Sequence, residues 1–318
     1  MKAIVCDKYG SPLSLRLREI PRPKPKENEV LIKIKATAVN DYDWSMVRGK
    51  PGIYRIFFGL FKPKRSVPGM ELSGEIVEVG SNTNKFKIGD EVYGDTSDHC
   101  FGTFAEYISI NENALTHKPS KMSHIDASAT SHASMLAYQG LIEIGKIKKG
   151  DKILINGAGG GVGTFALQLA KIYNCEVTGV DTGDKLNMMK SIGFDHVIDF
   201  KKEDFTKSNE KYDLILDAKT TRPPNSYTRC LRSNSKYVTV GGDVFRLLQI
   251  LFARKIRRKS VFMVGLKANK YLSEINDLYD QGIIKPIIDG PYSLEEVPQA
   301  IQRFGDGKHA GKIVITIS

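Results

Sequence analysis

Cysteine is scarce in this 318-residue chain: Cys6, Cys100, Cys175 and Cys230 stand far apart, and no two form a C-x-x-C pair. Neither a disulfide framework nor a zinc ribbon is indicated. Long apolar runs are missing as well. The longest, such as 56–61 and 247–253, fall far short of the roughly 20 residues a membrane-spanning helix needs. The opening residues, MKAIVCDKYG, hold no extended apolar segment and no small-residue cleavage site, so the expected compartment is the cytoplasm. No G-x-S-x-G elbow occurs, which argues against a nucleophilic hydrolase of that type. Internal repeats and low-complexity tracts are absent too. Hydrophobic residues at 41% and charged residues at 26% exclude disorder, collagen and coiled coil as whole-chain descriptions.

The 47 Lys+Arg exceed the 36 Asp+Glu, for a formal net charge of +11. Such an excess attracts anions, nucleic acid or a membrane surface. Here it is spread along the chain, with one cluster at 254–259, and nucleic-acid binding is not expected.

Residues 1–120 read as β-rich. Val30, Ile32, Ile34 and Ala36 alternate with Leu31, Lys33 and Lys35, the period of a half-buried strand. Pro21, Pro23 and Pro25 suit a connector outside any sheet interior. Gly69, Gly74, Gly80, Gly89 and Gly94 then interrupt the chain, with strand-like pieces at 75–79 and 91–93, the pattern of a small barrel or sandwich. From about residue 120 strands alternate with helical segments. Strands are expected at 152–156, 176–180, 197–198, 214–216, 237–240 and 261–264, and helices at 161–173 and 185–191. That alternation predicts an α/β fold with a doubly wound parallel sheet. The tail, 292–318, carries one helix (294–304) and a last strand (312–317) and is more like the β-rich start. The expected organisation is a discontinuous first domain, 1–122 plus 265–318, with the sheet domain, 123–264, inserted into it.

The strand at 152–156 runs into Gly157-Ala158-Gly159-Gly160-Gly161-Val162-Gly163, and a helix follows. In the G-x-G-x-x-G register the three positions are Ala158, Gly160 and Gly163. Small residues there let the backbone approach a pyrophosphate, whose charge sits on the helix N-terminus. Gly163 lets the helix pack closely on the strand. An acidic residue, Asp181, ends the next strand about 20 residues on, and the combination points to a dinucleotide. A carboxylate there accepts hydrogen bonds from ribose hydroxyls and repels a 2′-phosphate. No arginine stands at 182–184, and Lys185, one turn later, partly offsets the repulsion.

At this point the chain resembles a known family over nearly its whole length. The segments AVNDYDWSMVRG (38–49), VPGMELSGEIVEVG (67–80), FKIGDEVYG (86–94), GTFAEYI (102–108), AYQGL (137–141), INGAGGGVGTFALQLAK (155–171), SIGFDHVIDFKKEDF (191–205) and VTVGG (238–242) carry the likeness. They resemble the medium-chain dehydrogenases/reductases, in the zinc-independent quinone oxidoreductase (zeta-crystallin-like) branch. The resemblance implies a GroES-like substrate domain, a Rossmann dinucleotide-binding domain and a homodimer built along the Rossmann sheet edge.

The resemblance also tests for zinc. Where zinc alcohol dehydrogenases of this superfamily place Cys, His and Cys ligands, this chain presents Asn40, Met70 and Ala133. No normal zinc ligand stands at any of them, so no catalytic zinc is expected. Relatives that use NADPH commonly carry Ser/Thr and Arg/Lys after the second strand, a Tyr in an I-[ND]-Y segment and often an Arg near the C-terminus. Here the residues are Asp181-Thr182-Gly183-Asp184, Phe200 and Ala310-Gly311-Lys312, which puts NAD(H) slightly ahead of NADP(H) as the cofactor. His132 stands where relatives are apolar. It is read either as a neighbour of the nicotinamide or, more simply, as a buried hydrogen-bonded histidine.

Without a Lewis acid an alcohol is hard to oxidise, but hydride can still go to an acceptor that stabilises the resulting charge itself. Quinones and α,β-unsaturated carbonyl compounds do so, and a lipophilic small-molecule acceptor of this kind is the expected partner. Orientation, a dry pocket and one or two hydrogen-bond donors then suffice. Asn40, at a metal-ligand position of the zinc enzymes, is the first candidate donor; the alternative is an Asn that fixes its own loop. Asp43 braces that loop, and Tyr54 is the candidate proton donor, ahead of Tyr42. The resemblance places Val264 and Gly265 beside the nicotinamide, and Gly241 and Gly242 at a strand end next to the cofactor. Two stretches, YRIFFGLFKPKR (54–65) and VFRLLQILFARKIRR (244–258), join apolar and basic residues. They are expected to flank the substrate mouth. Contact with a membrane is their minor alternative, beside an ordinary surface helix or dimer contact. The function expected is hydride transfer from NAD(P)H to a quinone or activated alkene. The alternatives are an alcohol dehydrogenase-type oxidoreductase and a catalytically silent nicotinamide-binding protein.

Overall fold

The computed structural model describes residues 1–256 and 260–318. The ends of the basic cluster at 254–259 and of the stretch 244–258 therefore lie partly outside the described residues.

In chain order, β1 (Lys2–Val5) pairs antiparallel with β2 (Arg16–Glu19). β3 (Glu29–Ala38) follows the proline-rich connector, and its middle alternates as its sequence does, with Ile32 and Ile34 buried around a half-buried Lys33. Leu31, Thr37 and Ala38 are buried too, so strict alternation fails near both ends. α1 (Asp41–Arg48) starts at Asn40 and stops at Gly49, whose φ of 58° is left-handed backbone that glycine adopts without steric cost. Next come α2 (Tyr54–Phe58), β4 (Glu71–Val79), β5 (Glu91–Asp95), β6 (Tyr107–Asn111) and β7 (Thr116–His117). α3 (His124–Tyr138) continues into a π-helical segment, Gln139–Gly145.

The alternating stretch then supplies β8 (Lys152–Asn156), α4 (Gly161–Ile172), β9 (Glu176–Asp181), α5 (Leu186–Ser191), β10 (His196–Asp199) and β11 (Tyr212–Asp217). α6 (Pro224–Thr228), β12 (Leu231–Thr239), α7 (Val244–Ile256) and β13 (Val261–Met263) complete it. The tail forms α8 (Leu272–Asp280), β14 (Ile288–Ser293), α9 (Val297–Gly305) and β15 (Lys312–Thr316).

Two compact units result. One comprises Met1–His132, Ala268–Asp280 and Ile288–Ser318; the other comprises Ala133–Lys267 and Gln281–Ile287. In the first, the main sheet has the order β14-β15-β3-β4-β5-β7, with β6 also paired to β3. β3 is its hub, antiparallel to β4, β6 and β15. Ile4, Val30, Ile32, Ile34, Leu72 and Phe104 are among the buried side chains of its core.

The second unit is a six-stranded sheet in the order β10-β9-β8-β11-β12-β13, every neighbouring pair parallel. Counted from β8 this is the 3-2-1-4-5-6 order of a doubly wound Rossmann sheet. Covered on both faces, its strands read as short apolar runs, as in KILIN of β8. The order reverses between β8 and β11, and ligands of such sheets bind beyond the strand ends at that switch point.

Candidate active site

The loop between β8 and α4 lies at the switch point. Gly157 opens it with φ of 85°, again left-handed backbone. Its N–H and that of Ala158 both donate to Val180 O, at 2.9 and 3.1 Å, which ties the loop to β9. At Gly163 an added Cβ would lie 2.5 Å from both Cα and O of Ala158, so only glycine lets α4 start this close to the loop. The amides of Gly161, Val162 and Gly163 precede the first intrahelical bond, from Thr164 N–H to Gly160 O at 3.0 Å. With no acidic residue in that turn, the helix start suits an anion.

Asp181 ends β9 and is 3% exposed. Its Oδ2 accepts the Gly159 N–H at 2.9 Å, and its Oδ1 accepts the Thr182 N–H at 2.8 Å. Lys185, itself 5% exposed, places its Nζ 3.3 Å from Oδ1. The side chain of Lys185 also lies over the loop, where a Cβ on Gly159 would meet its Cδ at 2.6 Å. Asp181 thus braces the glycine loop, and its charge is partly neutralised. Phe200 is 41% exposed and donates its N–H to Asp181 O at 3.2 Å. Val264 extends the β13 ladder, its N–H on Thr239 O at 2.8 Å. Around Gly241 a Cβ would meet nothing within 4 Å, so the backbone is open there to a ligand. These features fit a dinucleotide: free helix-start amides, a close-packed glycine loop and a carboxylate at the second strand end.

Sequence reasoning missed the turn after β11. Asp217 is fully buried, and its Oδ1 accepts from Asn156 Nδ2 at 2.8 Å, Lys219 N at 3.0 Å and Thr220 N at 2.8 Å. Tyr237 donates its hydroxyl to Oδ2 at 2.9 Å, and burial, with Asp217 beside it, pushes that phenol far above its ordinary pKa. Thr220 is held at φ of 51°, an unfavourable backbone for a β-branched residue. Its hydroxyl bonds Thr239 Oγ1 at 2.6 Å and also donates to Gly241 O, fixing the strand end where Gly241 stands.

The first unit holds Asn40 in a buried polar cluster. Asn40 is 4% exposed, Glu71 0% and Lys312 4%. Lys312 Nζ donates to Asn40 Oδ1 at 2.6 Å and also to Glu71 Oε1. Asn40 Nδ2 donates to Glu71 Oε1 at 3.1 Å and, less closely, to Ala38 O at 3.4 Å. The other Glu71 oxygen accepts from Ser131 Oγ at 3.0 Å and His132 N at 2.9 Å. The Asn40 amide is therefore oriented by an ion pair behind it. Asp43 lies beneath, accepting the Asn40 N–H at 2.8 Å and the Gly69 N–H at 2.9 Å. Burial pushes its carboxyl up to about 7, against those two amides and the Lys312 charge.

His132 is buried and hydrogen-bonded: its Nδ1 lies 2.7 Å from Asp95 Oδ2. Burial would raise the Asp95 carboxyl, but the His132 ring and the Ser97 hydrogen bonds outweigh it and hold it below its ordinary value. Tyr54 belongs to an aromatic group with Tyr42, Phe58 and Phe101, the ring centroids 5.5 to 6.4 Å apart along the chain of contacts. Partial burial, Asp41 and Tyr42 raise its phenol, so Tyr54 stays protonated at neutral pH.

The residues at the expected metal positions do not suit zinc. Asn40 offers an amide already engaged, Met70 a buried thioether and Ala133 a methyl group. Among the described residues no three His, Cys, Asp or Glu side chains gather into a group that could hold a metal. Glu71 and Lys312 stand 241 residues apart, and no local pattern links them; Glu71 lies in the family-like segment 67–80, whereas 310–312 is one of the places where the chain departs from relatives that use NADPH.

Comparison with known proteins agrees with this reading of the fold. Residues 26–120 match the family model described as alcohol dehydrogenase GroES-like domain, and residues 192–315 match that described as zinc-binding dehydrogenase. The chain is 33% identical over 326 residues to 2-methylene-furan-3-one reductase of Solanum lycopersicum, covering 99% of this chain and 79% of that protein. It is 30% identical to the chloroplastic quinone-oxidoreductase QR1 of Triphysaria versicolor, covering 99% and 98% of the two chains. The solved quinone oxidoreductase of Coxiella burnetii superposes with a TM-score of 0.88 at 26% identity, covering 100% of this chain and 99% of that one. With the Rossmann sheet order, the glycine loop and these relatives together, the chain belongs to the medium-chain dehydrogenase/reductase superfamily, in its quinone oxidoreductase-like branch.

Proposed function

We propose that this protein is an NAD(P)H-dependent reductase that works without zinc and passes hydride to a quinone or an α,β-unsaturated carbonyl compound. The observation that carries the reading is the pairing of a glycine loop fitted to a dinucleotide with metal positions occupied by Asn40, Met70 and Ala133. Relatives named for reduction of a methylene-furanone, of quinones and of alkenals and alkenones support the acceptor class.

The nicotinamide, when bound, supplies the hydride. The amides of Gly161, Val162 and Gly163 take the pyrophosphate, with Ala158 and Gly160 leaving room for its approach. Asp181 takes the adenosine ribose, and Phe200, Gly241 and Val264 line the remaining length. Asp181 favours NAD(H), while Lys185 at 3.3 Å weakens its repulsion of a 2′-phosphate, so the preference is modest. Asn40, the candidate donor, is held in one orientation by Glu71 and Lys312 with both amide N–H groups spent on Glu71 and Ala38, so its part is to fix its own loop rather than to donate to the acceptor. Tyr54, protonated at neutral pH, supplies the proton for the enolate or hydroquinone oxyanion. A homodimer in the cytoplasm goes with this reading, although relatives include chloroplastic and mitochondrial proteins.

The test is reduced-cofactor consumption by metal-stripped protein, with NADH and NADPH side by side, against an ortho-quinone and a medium-chain enone. Turnover with either acceptor, faster with NADH, is expected. Binding of both cofactors without consumption would replace the reductase by a nicotinamide-binding protein.

A further inference from the structure

Two lysines lie against the glycine loop of the second unit, and they spend their charge differently. β9 and β11 flank β8, so the loop is approached from both neighbouring strands. From the β9 side the Lys185 stem covers Gly159, and its Nζ pairs with Asp181 at 3.3 Å. From the β11 side Lys219 covers Gly157. A Cβ built on Gly157 would meet Lys219 Cγ at 3.0 Å and Cε at 3.3 Å, so the stem lies flat along the glycine almost to its end. Yet Lys219 is exposed and, among the described residues, makes no ion pair.

The turn that carries Lys219 is fixed. Its N–H donates to Asp217 Oδ1 at 3.0 Å, and the Ala218 N–H donates to Asn156 O at 2.9 Å, which ties the turn to the end of β8. The next residue, Thr220, is held at φ of 51°. A surface lysine ordinarily extends its ammonium into water to keep its hydration. Here the ammonium is one bond from an atom that touches Gly157. The first turn of α4, which the same loop leads into, holds no acidic residue. With the Asp181 charge offset by Lys185, an ammonium and the helix-start amides form a surface of one sign that an anion fits. The doubly charged pyrophosphate of a dinucleotide is such an anion. Sheet order gives the side. The adenosine half goes with Asp181 at the end of β9, so the nicotinamide half runs over the ends of β11 and β12.

We propose that Lys219 is a pyrophosphate-binding residue, its ammonium pairing with the phosphate of the nicotinamide half and complementing the helix-start amides of α4. The assignment rests on the dinucleotide reading of the loop. It adds to that loop a cation that the glycine pattern itself does not contain.

Calorimetric titration of the full chain tests it, with NADH, ADP-ribose and AMP as ligands. ADP-ribose keeps the pyrophosphate without the nicotinamide, and AMP keeps only the phosphate of the adenosine half. Lys219→Met should weaken NADH and ADP-ribose by roughly tenfold each, the size of one lost charge-assisted hydrogen bond, and AMP by less than about twofold. Lys219→Arg should hold both pyrophosphate ligands near the parent affinity. The gap between parent and methionine variant should narrow as salt rises, because the pair is exposed. Lys219→Gln should show the same loss without an added apolar end, and it decides if the methionine variant unfolds early in a thermal scan. NADH and ADP-ribose affinities unchanged in these two variants would overturn the assignment and leave Lys219 a solvated surface residue. An equal loss for AMP would overturn it too, since the cation would then act on the adenosine half or through the fold. A parent chain that binds neither NADH nor ADP-ribose would be a different failure, that of the dinucleotide reading, and the assignment would fall with it.

Discussion

Glu71 accepts from four donors, Lys312, Asn40, Ser131 and His132, with no exposed surface of its own. Such a carboxylate is tolerated only while its countercharge is present. Lys312→Met should therefore cost about 3–5 kcal/mol in urea unfolding, and Glu71→Gln/Lys312→Met should recover much of it. A Lys312→Met protein as stable as the parent would show that the pair is dispensable. Asp43, just below, gives a pH signature. Its carboxyl is raised to about 7 in the folded chain, so the fold holds that proton more tightly than the unfolded chain does. The contribution is full at low pH and is lost as pH rises from the ordinary carboxylate range of about 4 through about 7. Asp43→Asn should remove this falling component from the stability profile while lowering the baseline, because an amide cannot accept both the Asn40 and Gly69 N–H groups. A profile with its slope intact in that variant would place the titration elsewhere.

Elements differ in how far their sequences reveal them. β8, the glycine loop and α4 are legible because the chemistry is contiguous: an apolar run, small residues, then a helical face. Gly163→Ala tests that unit. Its methyl would press on Ala158 at 2.5 Å, so a stability loss of about 1–3 kcal/mol is expected, with at least a roughly tenfold loss in NADH affinity by fluorescence titration. Unchanged affinity would detach the close packing of α4 from cofactor binding. α3 escapes sequence reading for the opposite reason. Asp126 to Ala137 are all buried, and its small residues show no polar face to set a helical period. β12 starts earlier than its apolar residues indicate, at Leu231, because pairing with Tyr212 across a register shift extends it. The helix expected at 185–191 splits into a tight turn, Gly183–Lys185, and α5, since Lys185 is drawn back onto Asp181.

At the scale of the whole molecule, the proposed chemistry predicts insensitivity to chelation. Exhaustive treatment with a strong zinc chelator should leave turnover of quinone and enone unchanged. A loss restored by added zinc would mean that ligands outside Asn40, Met70 and Ala133 hold a metal.

By itself the sequence determined the two-part architecture, the glycine loop between β8 and α4, and the residue types at 40, 70 and 133. Each is written in contiguous residues or in residue type, and side-chain chemistry does not change on folding. Only the tertiary structure decided how Asn40 is held, that Asp181 braces the loop and pairs with Lys185, and that Asp217 and Thr220 build the strand end at Gly241. Those facts depend on groups far apart in the chain meeting where water is excluded, and there unpaired charge is too costly to leave unmatched. The outer face of α7 follows the same logic in reverse: its apolar residues were visible in the sequence, but only packing showed which of them the fold leaves uncovered.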